Sequence, residues 1–241
     1  MMEWFNSNEL FEILVPKKDE NKIKEEITKL IKLIDIKENS KVCDFASRDC
    51  EYSIELSRRG FKVTAVDSIK TPLERVSKFC KKENIPLDIS VENLRNFARS
   101  EYFDIIINFA FPFCFFEGDD DFRVLKNLVR SLKFNGKLFL RLIPKELFIK
   151  RFCGKEWLIK EKKFILKDTK IIENWSIIET RWIFLDSKKR EIKSHFKMYS
   201  ALEISSMVRQ SGIEDIKIFG DLEGNPYDEN AKELFLLATR K

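Results

Sequence analysis

The alternation of apolar and polar positions divides the chain into short, regular elements. Residues 20–36, "ENKIKEEITKLIKLIDI", space Ile23, Ile27, Leu30, Ile31 and Ile34 as one face of a helix, with charges between them. "KVCDFA" (41–46) reads as a short buried strand. "EYSIELSRRG" then sets Tyr52, Ile54 and Leu56 on a helix that stops at Gly60, a favourable residue just past a helix end. "FKVTAVD" (61–67) is a second strand, and "TPLERVSKFCKKENI" is a helix with Pro72 in its first turn. "PLDISV" (86–91) is a third strand. "YFDIIINFA" (102–110) is a fourth, nearly unbroken in its apolar character, as a strand covered on both faces requires. Acids open a helix at "DDDFRVLKNLVRSLKFNG", which Asn135-Gly136 is expected to close. "KLFLRLI" (137–143) is a fifth strand.

Beyond residue 150 the period shortens to two. "EWLIKEKKFILKD", "KIIENWSIIETRWIFLD" and "REIKSHFKMYS" alternate, separated by "DT" and "DSKK", and predict an antiparallel meander joined by turns. "ALEISSMVRQSGI" is a helix ending at Gly212, and "DIKIFGD" and "ELFLLATRK" are strands around the loop "LEGNPYDENAK". Five βα units followed by a helix and an antiparallel pair predict an α/β fold. Its core is a doubly wound, mostly parallel seven-stranded sheet of Rossmann-like type, with the meander inserted after the fifth strand. The expected organisation is an N-terminal core over 1–150, an antiparallel insertion over 151–200, and a C-terminal helix and hairpin over 201–241 that completes the sheet. An insertion at that point sits over the carboxyl ends of the strands, where open α/β sheets bind ligands, and would serve as a lid.

Composition narrows the chemistry. The 241 residues are 44% hydrophobic, enough for a sizeable core, and 45 Lys+Arg against 40 Asp+Glu leave a net +5. That small excess is spread along the chain and forms no basic stripe, so it gives no support for a nucleic-acid partner. Cys43, Cys50, Cys80, Cys114 and Cys153 contain no C-x-x-C pair, and His195 is the one histidine, which argues against a Cys/His zinc site. An odd, scattered set of thiols suits a reducing compartment. The N-terminal stretch has no signal-peptide core and no apolar run reaches the length of a bilayer span, so a cytoplasmic, membrane-free protein is expected.

The segment "VCDFASRDCEYSIELSRRGFKVTAVD" (42–67) resembles the first motif of the class I S-adenosylmethionine (SAM)-dependent methyltransferases, in the bacterial and archaeal branch of small proteins of that family. The likeness continues through "FDIIINFAFPFCFF" (103–116), "LKFNGKLFL" (132–140), "KMYSALEI" (197–204) and "GDLEGNPYDENAKELFLLATRK" (220–241). It implies SAM as cofactor and methyl transfer as the activity. The family's loop glycines, which let the methionine part of SAM lie on backbone N–H groups, fall on Ala46, Arg48 and Cys50. A Cβ at such positions disfavours positive φ and close approach. The loop is therefore either an altered cofactor site, with Arg48 pointing outward or gripping a ligand carboxylate, or one no longer used.

The resemblance assigns cofactor contacts to Asp44, Ala46, Ser47, Arg48, Asp67, Ser68, Asn93, Leu94 and Asn108. Asp44 would order the loop, or it caps the following turn. Asp67, 23 residues later at the end of the second strand, would accept the ribose hydroxyls. Ser68 and Ile69 would flank the adenine. Asn93 would accept from the adenine amino group, or it caps the helix after it. Arg95 matches a family arginine or forms a surface ion pair. Phe111-Pro112 replaces a polar family pair, and Arg141 replaces a family acid near the expected mouth. His195 and Tyr199 are the candidates for a catalytic base, although methyl transfer from a sulfonium proceeds largely by alignment. Trp157, Trp175 and Trp182 form either a hydrophobic face of the meander or a substrate wall, and Tyr227 belongs to the terminal hairpin. Two functions follow. One is a SAM-dependent methyltransferase of a small-molecule acceptor; the other is a non-catalytic relative that binds a partner or a different ligand. Oligomeric state is open.

Overall fold

The computed structural model describes residues 10, 13–14, 18–110, 113, 119–160, 163–185 and 189–241. Helix α1 (Glu20–Ile34) opens on Asp19, whose carboxylate accepts from the Asn21 N–H, and buries Ile23, Ile27, Leu30 and Ile34. Then follow β1 (Lys41–Phe45), α2 (Glu51–Arg58), β2 (Lys62–Asp67), α3 (Lys70–Lys82), β3 (Leu87–Val91), β4 (Phe103–Asn108), α4 (Asp120–Ser131), β5 (Leu132–Leu142) and the short α5 (Lys145–Lys150). The insertion is β6 (Lys155–Lys160), β7 (Lys163–Ile172), β8 (Ile177–Leu185) and β9 (Arg190–Lys197). The chain closes with α6 (Ala201–Gln210), β10 (Asp215–Phe219) and β11 (Leu234–Thr239).

The main sheet has seven strands in the order β10-β11-β5-β4-β1-β2-β3. All neighbours are parallel except β11, which runs antiparallel to both β5 and β10. Order reverses between β1 and β4, so the carboxyl ends of β1, β2 and β4 face one crevice. The sheet is buried on both sides. Val42, Ile105, Ile107, Phe139 and Phe235 pack towards α1 and α2, whereas Cys43, Ile106, Leu138, Leu140 and Leu236 pack towards α4 and α6. This two-residue alternation on a doubly covered sheet explains why β4 reads as a continuous apolar run.

The insertion forms its own antiparallel sheet, β6-β7-β8-β9. Its inner face, with Ile165, Ile178, Trp182, Phe184 and Phe196, joins the same core as Leu140 and Leu142. Within that layer the Trp182 indole N–H donates to Ser194 Oγ at 2.8 Å, so a buried polar group is satisfied. The chain re-enters at Tyr199, which bridges Pro144 just beyond the carboxyl end of β5. A capping box between Ser200 and Glu203 then starts α6.

Two expected boundaries move. Helix α4 ends at Ser131, before Asn135-Gly136, because Leu132 is extended and pairs with Phe103. The Asn135-Gly136 pair instead forms a bulge in β5: Asn135 has φ 62°, and a Cβ on Gly136 would lie 2.8 Å from the Lys133 carbonyl oxygen. Asp168-Thr169 is no turn but the middle of β7. Thr169 is buried opposite Thr180, their hydroxyls 3.2 Å apart. The turn comes four residues later, where Glu173, Asn174 and Trp175 all take positive φ.

Candidate functional site

Asp44 is the last residue but one of β1 and Asp67 is the last residue of β2, so both carboxylates lie at the crevice. Ser53, on the first turn of α2, donates to Asp44 Oδ2 at 2.5 Å. Asp44 Oδ1 is buried with no hydrogen-bond partner. Burial first, and the Asp67 charge against the Ser53 hydrogen bond, push the Asp44 carboxyl up from 3.8 to about 7. Asp67 Oδ2 accepts the Arg48 N–H at 3.0 Å and Oδ1 accepts the Ile69 N–H at 2.9 Å. Burial raises its pKa as well, opposed by these N–H groups and by the Arg48 charge. Asn108, ending β4, donates through Nδ2 to the Phe45 carbonyl at 3.0 Å, and its buried Oδ1 has no partner.

The loop from β1 to α2 keeps a left-handed backbone without glycine. Ala46, Arg48 and Cys50 have φ of 59°, 40° and 54°. Ser47 N–H donates to the Val66 carbonyl, Cys50 N–H to the Ser47 carbonyl, and the Arg48 N–H to Asp67. Arg48 does not point outward: it is only 3% exposed, with its charge near enough to Asp67 to favour the carboxylate. Ala46, Ser47 and Cys50 are equally buried. Cys50 precedes α2 without a side-chain cap, and the Ser53 N–H of the first turn is turned to the Asp44 carboxylate.

The remaining expected residues are dispersed around this centre. Ser68 and Ile69 are half-buried beside Asp67, and Leu94 is fully buried. Asn93 is exposed, and its Oδ1 accepts the Arg95 N–H at 3.0 Å, closing a turn rather than starting a helix. Arg95 is paired with Asp120. His195, on the outer face of β9, stands opposite Glu179 with Nε2 2.9 Å from its carboxylate. Tyr199 donates to Asp121 at 2.5 Å, and Lys197 lies 3.0 Å from the same acid at the start of α4. Neither His195 nor Tyr199 is bonded to the Asp44–Asp67 pair. Trp182 belongs to the core, whereas Trp157 and Trp175 are exposed. Phe111, Pro112 and Cys114 lie outside the described residues.

A second constellation, not anticipated from the sequence, borders the same edge. Arg141 near the end of β5 makes a bidentate pair with Glu233, both contacts 2.8 Å. Phe109 packs edge-on against Tyr52, ring centroids 4.6 Å apart. The Tyr52 hydroxyl donates to Glu26 at 2.5 Å, and Lys18 reaches both Glu26 at 2.7 Å and the tyrosine oxygen at 2.7 Å. Burial, opposed by the Glu26 hydrogen bond, lowers the Lys18 pKa. Phe109, Arg141, Glu26, Lys29, Glu233 and Phe235 help line a cleft of about 210 Å³. These contacts join residues far apart in sequence, and only Ser53, one turn into the helix after Asp44, had a local signal. Among the described residues there is no cluster of metal-ligating side chains and no helix long and apolar enough to cross a membrane.

Comparison with known proteins agrees with this geometry. The sequence model of a methyltransferase domain matches residues 42–136, the span from β1 into β5. No curated protein matches the chain. Among solved structures it is similar to a SAM-dependent methyltransferase from Clostridium acetobutylicum, at 12% identity over 96% of each chain with a TM-score of 0.75. It is also similar to the CcbJ methyltransferase from Streptomyces caelestis, at 12% identity over 95% of each chain and a TM-score of 0.76. A SAM-bound amino pentose methyltransferase from Micromonospora echinaspora shares 14% identity over 97% of this chain and 96% of its own, with a TM-score of 0.64. Residues 42–136 thus match the model of a methyltransferase domain, in a chain that has the Rossmann-like methyltransferase fold over nearly its whole length.

Proposed function

We propose that the protein is a SAM-dependent methyltransferase acting on a small-molecule acceptor. One observation carries this reading: two buried acceptors without donors, Asp44 Oδ1 and Asn108 Oδ1, at the carboxyl ends of β1 and β4. A native interior rarely leaves such atoms unmatched, so a donor from a ligand is the simplest completion. The ammonium of the SAM methionine is that donor. The Arg48 guanidinium, buried in the same loop, suits its carboxylate. Asp67 accepts the Arg48 and Ile69 N–H groups, with the Ser68 N–H turned to it as well, and its remaining lone pairs would take ribose hydroxyls. Ser68, Ile69, Asn93 and Leu94 would adjoin the adenine.

When bound, SAM supplies a methyl group on a positively charged sulfur, open to in-line displacement. The chain's own residues hold and align. Asp44 ionises when an ammonium meets it, and the buried loop excludes water from that contact. The cleft beside Phe109 and Arg141 is the proposed acceptor side. Its aromatic wall and ion pairs suit a small polar molecule, in keeping with the amino pentose enzyme's resemblance to this chain. Tyr199, oriented by Asp121, is the better-placed base of the two candidates, since His195 is tied to Glu179 on the outer face.

A second reading, a fold that binds without transferring, is favoured by the burial of Ala46, Ser47, Arg48, Cys50 and Asp67. SAM reaches these residues only if Arg48 and its surroundings shift. Calorimetric titration with SAM and S-adenosylhomocysteine separates the two. The first reading expects binding heat and a raised melting temperature, both lost in Asp67→Ala. Absence of both in the wild-type protein at millimolar ligand would leave the second reading in possession.

A further inference from the structure

Three features of the crevice, taken in the order of the strands beneath them, describe the head of one ligand. At the ends of β4 and β1 stand two buried acceptors without donors, Asn108 Oδ1 and Asp44 Oδ1. These strands are neighbours, Asp44 pairing with Ile107, and Asn108 Nδ2 is tied to the Phe45 carbonyl, so the sheet holds both acceptors in place. The loop that leaves β1 contributes a cation, Arg48, which is buried. Beyond it, at the end of β2, the Asp67 carboxylate accepts the Arg48 N–H at 3.0 Å and the Ile69 N–H at 2.9 Å. From β4 through β1 to β2 the crevice therefore presents acceptors for a cation, a fork of donors for an anion, and a carboxylate for hydroxyls.

We propose that Arg48 is the specificity-determining residue of this site: its guanidinium receives an α-carboxylate, and the site admits adenosine derivatives only when they carry a zwitterionic amino-acid head. The proposal rests on the SAM reading and narrows it. A loop of glycines would hold a carboxylate on backbone N–H groups alone, and water can replace the carboxylate there. A buried guanidinium is more demanding. Its charge lies near Asp67, and any ligand that reaches Asp67 shifts it from that setting. A ligand without a carboxylate returns no anion to the displaced cation, and burial makes that costly. A carboxylate does return one, through two parallel charge-assisted hydrogen bonds. A phosphate fails for the opposite reason, because it brings no ammonium to fill Asp44 Oδ1 and Asn108 Oδ1. The backbone points the same way. Arg48 holds φ 40°, in the region that favours glycine, so a long side chain is kept here against a conformational cost.

Calorimetric titration of the full chain with three adenosine compounds tests the assignment. S-adenosylhomocysteine carries the whole head, its decarboxylated analogue keeps the ammonium and loses only the carboxylate, and adenosine monophosphate replaces the head by a phosphate. Wild type is expected to bind S-adenosylhomocysteine about 100-fold or more tighter than either of the others. Arg48→Gly suits the left-handed backbone, so its circular dichroism spectrum should be unchanged, and the preference over the decarboxylated analogue should drop below about 10-fold. Arg48→Lys retains a charge without the planar fork and should fall between the two. The ratio of affinities is the readout, so a uniform change in access to the site cancels. A ratio that Arg48→Gly leaves unchanged would overturn the role of Arg48 while the SAM reading stands. Tighter binding of adenosine monophosphate than of S-adenosylhomocysteine would overturn it as well, by giving the loop to phosphate. A wild-type protein that binds neither SAM nor S-adenosylhomocysteine at millimolar ligand would overturn the SAM reading and this assignment together.

Discussion

Asp44 offers a sharp test of how the site is built, because its environment makes its charge a liability. The carboxyl titrates at about 7 in the fold against 3.8 for an ordinary aspartate, chiefly through burial. As pH rises past 4 the unfolded chain releases this proton while the folded chain keeps it, so stability falls with rising pH. The loss begins near pH 4 and is complete above about pH 7. At about 1.4 kcal/mol per pK unit it reaches roughly 4 kcal/mol. Asp44→Asn removes the titration. Its carbonyl still accepts from Ser53, and its buried amide adds unmatched donors at about 1–3 kcal/mol, independent of pH. The variant is therefore expected to be less stable than wild type at about pH 4.5 and more stable at about pH 8.5. For a chain of this length each kcal/mol moves the melting temperature by about 2–4 °C, so the difference should swing by about 10 °C between those limits. Urea denaturation of both proteins across that range gives the same quantity as a free energy. A variant whose offset from wild type stays constant with pH would refute the assignment of a protonated, desolvated carboxyl.

Two further outcomes follow from the same geometry. Phe109→Ala should destabilise by about 3–5 kcal/mol in urea, since Phe109 is 1% exposed and packs against Tyr52, Phe139 and Phe235; a cost under about 1 kcal/mol would contradict that packing. SAM binding near pH 6.5 should release a proton as its ammonium ionises Asp44, so the calorimetric heat should depend on the ionisation enthalpy of the buffer. Equal heats in phosphate and Tris would remove Asp44 from the binding site.

Periodicity carried most of the fold. Strand β4 is legible because a strand covered on both faces demands an unbroken apolar run, whereas β2 and the edge strand β3 show through alternation. The misplacements came where local chemistry has two solutions. Asn135-Gly136 is equally good as a helix stop or a strand bulge, and pairing of Leu132 with Phe103 decides for the bulge. Asp168-Thr169 has turn chemistry, yet Thr169 finds a buried hydroxyl partner across the sheet while Asn174 supplies the left-handed turn downstream. In the site, Asp44 and Asp67 were legible because each ends a strand. The contacts among Lys18, Glu26, Tyr52, Arg141 and Glu233 were not, since they depend on how helices and strands distant in sequence come to rest together.

The loop from β1 to α2 separates two roles that glycine normally fills at once. One is conformational: three positions need positive φ, and Ala46, Arg48 and Cys50 adopt it at a cost of about 1–2 kcal/mol each. Such strain persists only where the surroundings hold it. Here the Asp67 carboxylate and the Val66 and Ser47 carbonyls grip successive N–H groups of the loop. The other role is vacancy, and that one is lost. Where glycine would leave bare backbone, Arg48 contributes a long side chain that is buried beside Asp67. The backbone frame of the site thus survives the loss of its glycines, while its openness does not. Access to Asp67 becomes a matter of side-chain rearrangement at Arg48 and not of refolding the loop. On the proposed reading, a ligand carboxylate able to engage the guanidinium would offset the loss of its present setting, and ligand entry would turn on Arg48.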